Sequence, residues 1–245
     1  MRKCPTCGRS FTPNRPQQKF CRRNCGRWKH HTAIKGRLED RPPADEFETY
    51  LAGLIATDGY IERRRGLPVP TGLAIKMAAQ AQPLLAQIAD HFERTLYERS
   101  NGQFVVTFVD KPIAWKQAQP RIKREWLPDY LRGLFDGDGC ISGSRAGSHF
   151  YPYVSLSFHP TREPWIGAVY ARFLTAHGIS FSEQCEKPTL HQLRSWGRSA
   201  VEFARLAYDR PGWAHPVKAA RARALIEGRP GDWSLHFVPR RHSGA

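Results

Sequence analysis

The chain has 245 residues, with 38 Lys and Arg against 22 Asp and Glu, a formal net charge of +16 and a pI near 10.0. A small domain usually carries a net charge of magnitude roughly 2–8, so this balance points to a polyanionic partner, most often nucleic acid. No apolar run reaches about 18 residues and the opening MRKCPTCGRS has no signal-peptide core, so a membrane span is excluded and a cytosolic protein with reduced thiols is expected.

Residues 1–28 hold four of the six cysteines. Cys4 and Cys7, then Cys21 and Cys25, are paired cysteines separated by a loop. This spacing suits a closed tetrahedral Zn²⁺ site. So small a module needs metal binding to supply its stability. Arg9, Arg15, Lys19, Arg22 and Arg23 crowd around the cysteines, so the module is expected to be a zinc finger that adds DNA contacts. Cys140 and Cys185 read as lone thiols. Residues 29–45, polar and ending near Arg41-Pro42-Pro43, read as a linker.

A periodic zone runs from residue 46 to 227. Residues 51–59, LAGLIATDG, read as a helix ending in an acid. Alternation at Leu73, Ile75 and Met77 then predicts a strand, and Leu84, Leu85, Ile88 and Phe92 predict an amphipathic helix. Asn101-Gly102 predicts a hairpin turn between Leu96–Glu98 and residues 104–109. The pattern then starts again. Residues 131–139, LRGLFDGDG, repeat the first helix. Residues 151–158 alternate as a half-buried strand. Ile166, Val169, Tyr170 and Phe173 give an amphipathic helix, and Lys187-Pro188 marks a weaker hairpin turn. Ser199 and Glu202 have the spacing of a capping box opening another helix. Pro216 and Gly228 suit the start and end of a last one. The halves are residues 46–125 and 126–227, with a basic tail over 228–245. The fold expected is α/β in the α+β sense: a pseudo-twofold, duplicated αββαββα unit with antiparallel sheets.

The repeated Asp-Gly ending is the chemical clue. An acid at a helix C-terminus faces partial negative charge, unfavourable by up to about 1 kcal/mol. Small residues line one face of each copy, Ala52, Gly53 and Ala56 in the first and Gly133 and Gly137 in the second. If those faces pack together, Asp58 and Asp138 meet at the pseudo-twofold axis. Two carboxylates that close call for divalent cations, and oxygen ligands favour Mg²⁺. On a basic surface the pair suits phosphodiester hydrolysis.

LAGLIATDG and LRGLFDGDG resemble the paired motifs of single-chain LAGLIDADG homing endonucleases, and the resemblance spans roughly residues 46–227. It implies a saddle-shaped, monomeric DNA clamp. The activity it implies is a Mg²⁺-dependent double-strand cut at a long pseudo-palindromic site. It implies that Asp58 and Asp138 hold the metal, and that a basic residue beyond each motif assists water or the scissile phosphate: Lys218 in the second half, Lys123 in the first, with Lys116 as a rival. The motif's earlier acid is Asp136 in one copy but Ala56 in the other, which argues against an essential metal ligand there. Strand alternation puts Tyr60, Glu62, Arg64, Lys76, Tyr153, Ser155 and Ser157 on the face that would enter a major groove. The alternative is a non-cleaving nucleic-acid binder of the same fold, an intron maturase or a transcription regulator; the presence of both acids favours cleavage.

Overall fold

The computed structural model describes residues 1–4, 9–19, 21, 42–62, 72–108, 114–117, 119–146, 149–210 and 212–229. Near the N-terminus Arg2–Lys3 (β1) pairs antiparallel with Ser10–Phe11 (β2). Cys4, just after β1, is buried and donates its backbone N–H to Arg9 O at 2.9 Å; Cys21 is partly exposed. Cys7, Cys25, Arg22 and Arg23 lie outside the described residues, as does Arg64. Arg9, Arg15 and Lys19 are exposed.

Asp45 opens the first long helix, α1, Glu46–Asp58. Its carboxylate accepts the Glu48 N–H at 2.7 Å, and Glu48 accepts the Ala44 N–H at 2.9 Å. This reciprocal cap satisfies donors that the first turn leaves open. At Gly59 the chain passes straight from helix into β3 (Gly59–Glu62), which pairs with β4 (Gly72–Met77). Helix α2, Gln82–His91, buries Leu84, Leu85 and Ile88. Strands β5 (Leu96–Glu98) and β6 (Phe104–Phe108) follow, joined through Gly102 at φ +75°. The sheet order is β3-β4-β6-β5. A four-residue helix, α3 (Ala114–Gln117), ends this half.

The second half repeats the plan. It runs α4 (Leu127–Asp138), β7 (Gly139–Ala146), β8 (His149–Phe158), α5 (Pro164–Ala176), β9 (Ser182–Lys187) and β10 (Leu190–Trp196), with sheet order β7-β8-β10-β9. Two helices close it, α6 (Gly197–Tyr208) and α7 (Pro216–Ile226). The capping box at Ser199 is not used. Helix α6 begins earlier, at Gly197 with φ +55°, directly after β10 and without a side-chain cap. Ser199 Oγ instead accepts the Ser180 N–H at 3.3 Å.

Helices α1 and α4 pack face to face at the junction of the halves. A Cβ on Gly53 would lie 2.1 Å from Tyr130 O, and one on Gly133 2.0 Å from Tyr50 O. The backbones therefore touch, which only glycine permits. Around them Leu51, Leu54, Ile55, Leu131, Leu134 and Phe135 are all buried, continuous with the sheets' inner faces at Leu73, Ile75, Val154 and Leu156. The outer faces carry exposed aromatics, including Tyr60, Tyr151 and Trp196.

The repeat is broken at the buried position of Asp136, and a matched pair of tyrosines records it. Tyr50 donates its hydroxyl to Asp136 Oδ2 at 2.8 Å. Its counterpart Tyr130 would need an acceptor at Ala56, and its buried hydroxyl has no hydrogen-bond partner among the described residues. A hydrogen bond to a charged group contributes about 1.5–3 kcal/mol, whereas an unpaired buried hydroxyl carries only its desolvation cost. Tyr50→Phe should therefore destabilise the fold by about 1–3 kcal/mol and Tyr130→Phe should be neutral or stabilising. Urea unfolding of the two variants checks this, and equal losses would contradict it.

Candidate active site

The C-terminal ends of α1 and α4 converge. A Cβ on Gly137 would fall 1.9 Å from Thr57 Oγ1, so the last turns of the helices touch one residue before each terminal acid. Asp58 and Asp138 close the two helices, and Gly59 and Gly139 then start the strands. Both glycines have ordinary negative φ, −65° and −82°. Space is what they supply, since a Cβ would sit 2.2 Å from Ile55 O or 2.3 Å from Phe135 O.

Burial pushes the Asp58 carboxyl up from its ordinary 3.8 to about 6, and the neighbouring Asp138 charge adds to the rise. Lys218 and Lys116 oppose it. Burial also raises Asp138, with Lys116 and Lys218 again opposing and Glu163 adding. Two carboxylates are thus held where ionisation costs free energy, at the start of two strands and at the negative ends of two helices. A divalent cation held there would offset the burial, the like charge and the helix-end potential, and a set of carboxylate oxygens suits Mg²⁺. The residues fit that ion, and Asp58 and Asp138 are the ones that would hold it.

The lysines are arranged in parallel. Lys218, in the first turn of α7, donates from Nζ to Phe135 O, Asp136 O and Gly137 O at 2.9, 2.6 and 2.8 Å. Lys116, on α3, donates to Ala56 O and Thr57 O at 2.6 and 2.9 Å. Each ammonium caps the helix that carries one acid, where a cation complements the dipole. Burial pulls the Lys218 ammonium down while Asp136, Asp58 and Asp138 pull it up. Lys116 also pairs with Glu163 Oε1 at 3.0 Å. Of the two first-half candidates, Lys116 is the one that lies at the end of α1. Lys123 is exposed, and its Nζ lies 3.9 Å over the Trp126 ring.

Asp136 is fully buried and does not face the gap between the acids. Its oxygens accept from Tyr50, from Tyr208 at 2.5 Å and from the His215 N–H at 2.7 Å. His215 itself is pulled down to about 4 by burial and then by Lys218, so its imidazole is neutral at neutral pH.

On the outer sheet faces, Tyr60 is 52% exposed with Lys76 Nζ 3.7 Å above its ring. Glu62 ends β3. The Tyr153 and Trp196 rings meet at 4.9 Å, tilted by 52°, and the Arg194 guanidinium lies 4.7 Å from the Tyr153 ring and 5.4 Å from the Trp196 ring. Ser157 accepts from Gln192 at 3.2 Å. Ser155 shares this face but is only 1% exposed, between Cys140 on one strand and Arg194 on the other. On β10 the exposed position of this face is Trp196, with Arg194 partly exposed and Gln192 buried. Their alternation in LHQLRSW carried the signal, which the weak turn before it obscured. Glu163 and His215 had no local signal, and Lys116 had only its place as a rival to Lys123.

Comparison by sequence finds no matching family model and no curated relative. By structure, the chain is similar to a LAGLIDADG meganuclease, I-AabMI, bound to uncleaved DNA (TM-score 0.54, 13% identity, 76% of this chain and 90% of that one). It is also similar to the I-LtrWI LAGLIDADG homing endonuclease bound to target DNA (0.53, 8%, 75% and 89%) and to I-DmoI in complex with DNA and Ca (0.51, 13%, 74% and 97%). What is shared at this identity is architecture: the chain has the duplicated, antiparallel-sheet saddle fold of the LAGLIDADG homing endonucleases.

Proposed function

We propose that the protein is a site-specific DNA endonuclease that uses Mg²⁺ to hydrolyse one phosphodiester in each strand of a long, pseudo-palindromic duplex site. The observation that carries this reading is the pair of raised carboxylates, Asp58 and Asp138, at the touching ends of two helices, each helix capped by a lysine. A non-cleaving binder has no use for two buried acids that destabilise each other. Mg²⁺ bound there would activate water and stabilise the leaving oxygen. The chain's own part is to fix the acids, to hold the Lys116 and Lys218 charges beside them where they offset that of the phosphate, and to present the open sheet faces to the bases. The test is incubation with a randomised DNA library in Mg²⁺ and sequencing of the ends. Enrichment of one cut site supports the reading, and tight specific binding with no cut ends would favour the non-cleaving regulator.

Lysine substitutions sort the roles. Lys116→Met and Lys218→Met should each slow cutting about a hundredfold, the scale for losing one charge-stabilising donor. Lys123→Met should leave the rate near wild type, because that ammonium rests on Trp126. Single-turnover rates on the selected site decide it.

We further propose that residues 1–28 form a Zn²⁺ module that adds phosphate contacts. Each phosphate neutralised gives a log–log salt slope of about −0.9, so on the order of 10 contacts cost several decades of affinity between roughly 50 and 200 mM salt. Deleting residues 1–45 should flatten that slope without moving the cut. Binding isotherms across salt concentrations check it; an unchanged slope would mean the module does not touch the backbone.

A further inference from the structure

The two halves hold their lysines by different means. In the second half, Asp136 bridges both ends of the segment joining α6 to α7. Oδ1 accepts from Tyr208, the last residue of α6, and Oδ2 accepts from the backbone N–H of His215, which caps α7. Tyr50, from the other half, adds the third donor. The start of α7 is therefore fastened to the helix that ends in Asp138. Lys218 lies three residues beyond His215, and its Nζ reaches Phe135, Asp136 and Gly137 carbonyls of that same helix. In the first half the counterpart of Asp136 is Ala56, and nothing equivalent can form. There Lys116 is steadied directly by Glu163, at the start of α5.

We propose that Asp136 is a positioning residue for Lys218, and that it acts on only one of the two strand cuts. This rests on the endonuclease reading. A pseudo-twofold protein on a duplex presents one lysine-capped acid to each strand. Removing Asp136 frees the backbone that aims Lys218 and leaves the Lys116–Glu163 pair alone. A misplacement of about 1 Å costs on the order of a hundredfold in rate, so one strand should be cut far more slowly than the other. Asp136 would then be an acid of the repeated motif that works through a backbone N–H and not through metal.

The experiment uses the full chain on a supercoiled plasmid bearing the selected site, with nicked and linear products resolved and each nick mapped to its strand. Asp136→Asn should slow one strand about tenfold or more, so nicked circles accumulate, all cut in the same strand. Tyr208→Phe, which removes one donor and leaves the carboxylate, should bias the same strand more weakly. Loss of folded protein slows both strands alike and leaves their ratio unchanged, so the ratio separates positioning from stability. Equal slowing of both strands by Asp136→Asn and Tyr208→Phe, or no change of ratio in either, overturns the inference while the endonuclease reading stands. A wild-type chain that cuts neither strand of any library member overturns that reading and this inference with it.

Discussion

Asp58→Asn should abolish double-strand cutting, keep specific binding, and make the metal-free protein more stable at neutral pH. The third outcome distinguishes a functional acid from a structural one. Burial and Asp138 raise the Asp58 carboxyl from 3.8 to about 6. A group whose folded value lies above its unfolded one favours folding while it is protonated. Its contribution is full below about pH 4 and is lost as pH rises through about 6. That change corresponds to about 3 kcal/mol, and partial exposure reduces it to on the order of 1–2 kcal/mol. The variant and wild type should therefore have similar stability near pH 4, with the variant pulling ahead as pH rises from about 4 to about 6 and keeping that lead above it. Mg²⁺ should raise the wild-type melting temperature, since an ion that binds only the folded state stabilises by mass action, and should do little for the variant. Asp138→Asn should behave alike, because burial raises its carboxyl too. Thermal melts across pH, with and without Mg²⁺, beside a cleavage assay, check all of this. A variant that still cuts both strands would remove the acids from the mechanism.

The period of the sequence shows the fold well and the site only partly. Alternation over residues 151–158 and the Asn101-Gly102 turn correspond to β8 and the β5–β6 hairpin because strand period and turn chemistry are local. That Asp58 and Asp138 end adjoining helices was legible because one short motif carries both the helix and its terminal acid. Which first-half lysine comes near them was not. Lys116 reaches the site on a four-residue helix whose approach to α1 depends on long-range packing, while Lys123 looks equivalent in sequence and ends on Trp126. Ser199 shows the same limit, since the end of β10 fixes where α6 begins before any capping box can act. Ser155 shows it on the sheet. Its face follows from alternation, but its burial comes from the pairing with Cys140 and Arg194, and register across strands is not written in either strand alone.

Gly53→Ala and Gly133→Ala should each cost more than about 3 kcal/mol, against a usual total stability of about 5–15 kcal/mol. In an ordinary exposed helix the same change would stabilise by about 1 kcal/mol. Here the new methyl on Gly53 would lie 2.1 Å from Tyr130 O and 2.8 Å from Leu134 N, and on Gly133 2.0 Å from Tyr50 O and 2.9 Å from Leu54 N. All four neighbours are backbone atoms inside hydrogen-bonded helices, so no side-chain rotation relieves the clash. The helices must separate, and every contact along α1 and α4 loosens together. Separation also parts Asp58 from Asp138, so whatever folded variant remains should cut slowly even when saturated with DNA and Mg²⁺. Gly102→Ala is the control. Its φ is +75° with nothing within 4 Å, so the expected cost is only the left-handed strain of about 1–2 kcal/mol. Urea midpoints for the three variants, read beside single-turnover rates, decide the matter. A Gly53→Ala protein as stable as wild type would mean that the two motif helices do not meet backbone to backbone, and the acids at their ends would lose the contact that holds them side by side.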